Sequence, residues 1–215
     1  MNAVTPIEGV KQSIAISPPD LRVLQMKIIG TAPLMVCKFA TKAKNAMMEK
    51  QAAGSVAKKG SKRAAKDFDE AFQQARHIST EGWDGFAAGA IRNAMISACR
   101  LVGFKMTLAK LSVFVIADGF SADDGTPLIR IIGGEPERTD MPVRNATGVM
   151  DVRTRPMWRE WAAVLNIRYD ADQFSATDVM NLLARVGMQV GIGEGRPDSK
   201  QSAGMGFGTF EVERA

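Results

Sequence analysis

The order of predicted strands and helices constrains the fold of this sequence more than any other feature. Apolar and polar residues alternate in LRVLQMKIIG, residues 21–30, which predicts a strand with a buried face. Apolar residues recur every three or four positions over residues 85–102, which predicts the longest helix, with Gly103 as a typical C-terminal stop. Residues 175–187 predict another helix, with Ser175 as its N-cap, Asp178 as the acid of a capping box and Gly187 as its C-cap.

Further strands are predicted between these helices and after the second one. The runs KLSVFVIADG and PLIRIIGG lie on either side of Asp124-Gly125, a pair typical of a hairpin turn, so we expect the runs to pair antiparallel. Residues 158–170 alternate as another strand, and TFEVE forms the last. With insertions set aside, the order is strand, helix, strand, strand, helix, strand. This order predicts an α+β fold with a ferredoxin-like (RRM-like) antiparallel sheet and helices on one face.

The length and composition favour one domain over residues 21–215. The chain has 215 residues, of which 46% are hydrophobic, enough for one buried core. Residues 1–20 contain prolines and little periodicity, and we expect a loosely attached N-terminal arm. We expect two insertions within the domain: a basic one at residues 42–80, and an arginine-rich one at residues 135–157. The partial alternation of the second predicts an extended thumb hairpin.

Positive charge is concentrated in one segment. The whole chain has a net charge of +5, whereas residues 42–66 alone hold eight basic residues against one acidic residue, a local net charge of +7. A cationic segment of this kind attracts polyanions through salt-dependent contacts. The alternative is a solvated surface loop that keeps the protein soluble.

A glycine-rich loop precedes the last strand. The segment GIGEGRPDSKQSAGMGFG, residues 191–208, surrounds a charged, proline-containing stretch with glycines. Such density indicates positive φ angles or the close approach of another backbone, which we interpret as a nucleotide strand or an adjoining copy of the protein. A tight structural turn is the alternative. The glycines concerned are Gly191, Gly193, Gly195, Gly204, Gly206 and Gly208.

Candidate binding residues lie in these insertions and on the outer face of the long helix. We expect contacts to phosphates rather than base stacking on the sheet, because Phe114 is the only aromatic residue of the predicted central strands. On the long helix, Asn93, Ser97 and Arg100 share one polar face. The expected nucleic-acid-binding residues are Lys42, Lys44, Lys58, Lys59, Lys62, Arg63, Lys66, Arg92, Asn93, Arg138, Arg144, Arg153, Arg155, Arg196 and Lys200.

The sequence contains no recognisable catalytic or metal-binding motif. The only histidine, His77, has no serine, cysteine or metal-ligand spacing around it. We therefore expect a non-enzymatic protein with no catalytic residue, no cofactor and no metal. Cys37 and Cys99 lie far apart among apolar residues and are predicted to be buried thiols. The absence of a signal peptide and of a long apolar stretch predicts a cytoplasmic protein with no membrane partner.

The order of elements, the helix GFAAGAIRNAMISACRLVG and the terminal glycine loop together resemble the repeat-associated mysterious protein (RAMP) superfamily, specifically the backbone subunits of CRISPR surveillance complexes. The resemblance implies an RRM-like core, a thumb hairpin and outward-facing Arg92 and Asn93. It also implies side-by-side polymerisation along single-stranded nucleic acid. The patterns RNAMISACR and GFGTFEV further resemble an uncharacterised family of tailed-phage proteins, which implies the cytoplasm of a bacterial host.

These observations predict a non-enzymatic, largely sequence-independent protein that binds single-stranded DNA or RNA and assembles with copies of itself into a filament or ring. Two alternatives stay open. One is a protein-interaction or inhibitory protein that uses adaptable methionines. The other is an RNA-cleaving enzyme of the same superfamily that depends on His77. The methionines concerned are Met47, Met48, Met95, Met188 and Met205.

Overall fold

The computed structural model describes residues 16–39, 45, 47–49, 51, 67–144, 148–199 and 203–213. Over these residues the chain combines α-helices with three antiparallel sheets, so the predicted α+β composition is confirmed. The strands are β1 Leu21–Gly30, β2 Leu34–Met35, β3 His77–Ile78, β4 Asp84–Ala87, β5 Val113–Ile116, β6 Gly119–Phe120, β7 Pro127–Arg130, β8 Glu137–Arg144, β9 Met150–Trp158, β10 Ala162–Asp170 and β11 Phe210–Glu213. The α-helices are α1 Phe68–Ala75, α2 Ala88–Ala98, α3 Met106–Ser112 and α4 Ala176–Arg185.

The central sheet has the strand order β11-β1-β10-β5, and all neighbouring strands are antiparallel. On one face of the sheet, Ile28 and Leu165 are fully buried in a core shared with α2 and α4. On the other face, Val23, Gln25 and Lys27 are exposed. This alternation is the one predicted for residues 21–30, and it follows from the period-two geometry of a strand.

The segments around the Asp124-Gly125 turn pair differently from the prediction. The turn does join an antiparallel pair, but this pair holds only β6 and the start of β7. Strand β5 pairs with β10 instead, because Val113 is fully buried in the core of the central sheet. Strand β7 belongs to a separate sheet of order β3-β4-β7-β6. The third strand of the central sheet is therefore β10 and not residues 127–134.

The long helix begins later than predicted and ends as predicted. Residues 84–87 form β4, which pairs with β7, and α2 starts only at Ala88. Gly85 is part of that strand because its missing side chain lets Ile129 O approach: a Cβ would lie 2.6 Å from this oxygen. After α2, a 3-10 turn over Cys99–Val102 ends at Gly103, whose φ of 70° is left-handed.

Helix α4 has the predicted start and a different end. Ser175 caps it, and Asp178 completes a reciprocal capping box. The helix then continues through a π-helical turn over Val186–Val190, so the stop residue is Gly191 (φ 68°) and not Gly187. Gly187 is required for packing, since a Cβ at this position would collide with Phe210 O.

The arginine-rich segment forms the predicted hairpin. Strands β8 and β9 pair from Glu137↔Met157 to Arg144↔Met150, and β9 also pairs with β2 at the hairpin base. Helix α1 packs against the hairpin through the contact between Arg138 and Asp69. The hairpin thus belongs to a separate sheet of order β2-β9-β8, in which β9 is paired on both sides.

Three further predictions concern residues away from the sheets. Cys99 is a buried free thiol as expected, whereas Cys37 is exposed, although its two neighbours Val36 and Lys38 are buried. Residues 1–15 of the predicted arm lie outside the described residues. No helix in the described part of the chain is long and apolar enough to cross a membrane.

Candidate nucleic-acid interface

A groove of about 850 Å³ lies between α2, the β8–β9 hairpin and the glycine-rich loop. Asn93, Ser97 and Arg100 line it from the polar face of the helix. Arg153 and Arg155 line it from the hairpin. The apolar part of the lining includes Val36, Phe86, Ala94, Ile96, Val190 and Ile192. We refer to this cavity as the groove.

The groove brings together five of the predicted site residues from three distant parts of the sequence. The helix, the hairpin and the terminal loop meet there because β2, at the base of the hairpin, also binds the loop: Glu194 N donates to Met35 O at 2.9 Å. A sequence pattern cannot show this meeting, since the segments are separated by up to about 100 residues. The five residues are Asn93, Arg153, Arg155, Gly193 and Arg196.

The four predicted hairpin arginines lie on two opposite faces. Directly opposed residues share a face, so the pairs Thr139↔Arg155 and Met141↔Arg153 put both of these arginines on the groove side. Arg138, which is opposite Pro156, and Arg144, which is opposite Met150, lie on the face of the hairpin that is turned away from the groove. The structure therefore separates Arg138 and Arg144 from the groove.

Arg138 and Arg92 already have partners within the protein. The Arg138 guanidinium binds Asp69 and Asp140, with its carbon 5.7 Å from the centre of the Phe68 ring. Arg92 donates from Nε to Val113 O at 2.9 Å and from Nη2 to Lys110 O. Its guanidinium lies 5.0 Å from the Phe114 ring centre, so Arg92 holds the end of α3 against β5 rather than facing outward.

All six loop glycines have the predicted positive φ angles, between 66° and 78°. At five of them the closely approaching group belongs to the protein itself. A Cβ on Gly208, for example, would collide with Ile192 O, and one on Gly193 with Met35 O. At Gly206, by contrast, no atom of the described residues lies within 4 Å of the Cβ position. The interpretation of a nucleotide strand or adjoining copy is thus unnecessary for five glycines, and the tight-turn alternative accounts for them.

Two carboxylates of the loop bind basic groups on the groove walls. Glu194 accepts from Arg155 Nε at 2.5 Å and lies 3.5 Å from Arg153 Nη1. Asp198 accepts from Arg100 Nη2 at 2.8 Å and from the Ser97 hydroxyl. The hydrogen bond from Ser97, followed by those from Arg100, lowers the pKa of Asp198 below its usual value.

The groove has an excess of positive charge over these carboxylates. Five basic side chains line it against Glu194 and Asp198, which gives a formal net charge of +3. Lys110 is exposed, and Arg196 donates to Gly193 O at 3.0 Å within the loop. The basic residues are Arg100, Lys110, Arg153, Arg155 and Arg196.

Sequence reasoning missed Arg100, Lys110, Glu194 and Asp198 as groove residues. For Arg100 a signal was present, because its spacing from Asn93 placed both on one polar helix face. For Lys110 and the two acids no local pattern exists, since only tertiary packing brings them to the groove.

His77 lies at the groove, with only 8% of the residue exposed. Burial lowers its pKa, and the nearby positive charge of Lys38 lowers it further, so the imidazole is neutral at pH 7. Its Nδ1 is buried and has no hydrogen-bond partner among the described residues. The RNA-cleaving alternative that depends on His77 stays a prediction.

Other predicted features fall outside the described residues or differ from expectation. Four of the five methionines named above are at least half exposed, and only Met95 is in the core. No group of three potential metal-binding side chains occurs in the parts of the chain that the structure describes. Predicted basic residues outside the described residues are Lys42, Lys44, Lys58, Lys59, Lys62, Arg63, Lys66 and Lys200.

Comparisons with known proteins add no family assignment. No protein-family model matches the chain. A search of curated protein sequences likewise found no match. The geometry of the groove is therefore the main basis for assigning a function.

Proposed function

We propose that the protein is a non-enzymatic, largely sequence-independent single-stranded nucleic-acid-binding protein, and that the groove holds the strand. The observation that carries this proposal is the groove itself: four parts of the chain, the turn after α2, helix α3, the hairpin and the loop, direct basic side chains into one cavity with a net charge of +3. Phosphate contacts from such side chains give affinity without sequence readout.

The composition of the groove matches the two chemical parts of a nucleic-acid strand. Arg153 and Arg155 present guanidinium groups, which bind phosphate oxygens through directed, charge-assisted hydrogen bonds. Ala90 and Met106 line the groove, are partly exposed, and offer apolar surface to the bases or sugars. A single strand is favoured over a duplex because only a single strand turns its bases into an apolar cavity.

The topology supports a finer fold assignment within this proposal. The strand order β11-β1-β10-β5, with α2 and α4 on one face, corresponds to the ferredoxin-like (RRM-like) arrangement. We extend the proposal to membership of the RAMP superfamily, to side-by-side assembly with copies of the same chain, and to a cytoplasmic location.

Two arginines of one hairpin provide a matched test of the groove. Arg153 faces the groove and Arg144 faces away from it. We expect Arg153→Ala to weaken binding of a labelled oligothymidine or oligouridine of about 40 nucleotides roughly tenfold in fluorescence anisotropy. Arg144→Ala, which removes the same charge, is expected to change the affinity by less than about twofold. Equal effects of the two substitutions would remove the groove from the function.

Assembly along the strand is tested by light scattering after size-exclusion chromatography, with and without these oligonucleotides. We expect the mass of the complex to increase with oligonucleotide length, because each copy occupies a fixed number of nucleotides. A complex that holds one protein chain on every length would contradict the assembly part of the proposal and leave the binding part intact.

Protein interaction is the second candidate, and the exposed methionines favour it. Met188 is 74% exposed and Met205 is 56% exposed, and flexible methionine side chains of this kind make adaptable protein contacts. A protein complex that survives both nuclease and high salt would support this candidate. Loss of the complex on nuclease treatment would support the nucleic-acid proposal.

A further inference from the structure

The two loop carboxylates bind three of the five basic residues of the groove, Arg100, Arg153 and Arg155. Glu194 bridges Arg153 and Arg155 on the hairpin wall. Asp198 accepts two hydrogen bonds from Arg100, at 2.8 and 2.9 Å, and one from Ser97 on the helix wall. Each carboxylate therefore satisfies donors that would otherwise face the cavity.

These donor sets suit a phosphate group as well as a carboxylate. Guanidinium and hydroxyl donors bind both anions with the same charge-assisted geometry, and arginine pairs are common phosphate sites. A phosphate that entered either position would meet every donor that now contacts the carboxylate. Only the carboxylate would have to leave.

The side chains of both acids can leave without unfolding of the loop. The loop backbone is held by separate bonds, from Glu194 N to Met35 O and from Asp198 N to Val190 O. The two carboxylate side chains are 23% and 32% exposed, so rotation toward water is open to them. Release of the carboxylates thus breaks ion pairs and leaves the main-chain bonds in place.

We propose that Glu194 and Asp198 mark two phosphate subsites of the groove, and that both carboxylates yield these subsites to phosphates of a bound strand. The assignment of these subsites rests on the proposed function. It adds that the protein's own carboxylates compete with the phosphates of the strand and occupy the subsites when no strand is present. The exchange of one anion for another is nearly balanced, so an isolated phosphate gains little. A strand that fills both subsites at once gains from multivalency.

Neutral, isosteric substitutions test the subsites. Glu194→Gln and Asp198→Asn remove the competing charge and leave the arginines in place. We expect each to tighten binding of labelled oligothymidine about fivefold, and both together about 20-fold. Glu160→Gln is the control, since Glu160 is exposed between β9 and β10 and adds the same charge change away from the groove. Its effect is expected to stay under about twofold.

Competition with inorganic phosphate separates a free anion from a strand as the ligand. We expect phosphate to displace the oligonucleotide from Glu194→Gln at a lower concentration than from the wild type, because the vacated subsite accepts it. Equal competition against both proteins would overturn the phosphate assignment.

The outcomes distinguish this inference from the proposed function. A wild-type protein that binds no oligonucleotide refutes the function, and the subsites with it. Binding that responds to Arg153→Ala but is equal in the Glu194, Asp198 and Glu160 variants refutes the subsites alone. Circular dichroism checks folding of each variant, and because the two acids bind different walls, loss of folding in one variant leaves the other to decide.

Discussion

Replacement of Gly208 by alanine tests whether the glycine loop is shaped by its own backbone. Gly208 has a φ of 66°, and a residue with a Cβ in this conformation lowers the free energy of unfolding by about 1–2 kcal/mol. The Cβ would also collide with Ile192 O, and relief of this collision adds about 1–3 kcal/mol. The hydrogen bond from Gly208 N to Pro33 O, at 2.8 Å, lies in the same turn and would be strained. We therefore expect a loss of about 2–5 kcal/mol in the free energy of unfolding.

Gly206→Ala is the matched control, because Gly206 has a similar φ of 77° and open space at its Cβ position within the described structure. Gly206→Ala is expected to lower the free energy of unfolding only through its positive φ, by about 1–2 kcal/mol. Urea denaturation followed by tryptophan fluorescence measures both variants, with the slope m as a check on two-state unfolding. Equal losses in the two variants would refute the claim that close backbone approach, rather than φ alone, requires glycine at position 208.

Three other perturbations have expected outcomes. Arg92→Ala should lower stability by about 1–2 kcal/mol in urea and leave oligonucleotide affinity unchanged, because its donors serve Val113 and Lys110. The pKa of His77 is lowered in the folded protein, so as the pH falls His77 is protonated in the unfolded chain before it is protonated in the folded one. Stability should therefore fall as the pH drops below 6.5, and His77→Asn should make this fall smaller. Charge reversal of Lys58, Lys59, Lys62 and Arg63 to Glu should abolish retention in a gel-shift assay; unchanged retention excludes this segment.

The fall in stability just below pH 6.5 reports on His77 rather than on Asp124, because the pKa of Asp124 is lowered far from this range. His77 is the only histidine of the chain. Burial raises the pKa of Asp124, but hydrogen bonds from Thr126 outweigh it and set this pKa to about 2. The stability that Asp124 contributes is lost only as the pH falls below its ordinary value of 3.8.

Local features of the fold were predictable from sequence. The Ser175 capping box, the Asp124-Gly125 turn and the stop at Gly103 follow from side-chain and backbone chemistry within a few residues. The alternation in residues 21–30 predicted that β1 has a buried face, as it does. Such signals need no knowledge of distant parts of the chain.

Long-range pairing was not predictable in the same way. The run that contains β5 had an apolar neighbour across a good turn, yet β5 pairs with β10, about 50 residues further along the chain. The hairpin arginines show the same limit. The register between β8 and β9 decides whether Arg138 and Arg153 lie on the same face of the hairpin or on opposite faces. A shift of the pairing by one residue would reverse the result.

The candidate site was predictable in its parts and not in its assembly. Sequence identified the helix face, the hairpin and the loop, but the partners of their charges come from tertiary contacts. Glu194 lies in the predicted loop, and nothing in its neighbourhood in the sequence indicates that it binds Arg155. The loop was predicted as a ligand contact, whereas in the structure it forms a wall of the groove and carries carboxylates that bind the protein's own basic residues.

The central position of β1 has a consequence for synthesis of the protein. Its two neighbours, β10 and β11, are made more than 130 residues later. During translation β1 therefore emerges from the ribosome with both edges unpaired. The edge that β10 covers stays open until Asp170 has been added, and the edge that β11 covers stays open until Glu213 has been added. Sheets closed by such distant segments form slowly, and the waiting strand is open to pairing with other nascent chains. Because of this strand order, we expect the nascent chain to need chaperones during expression.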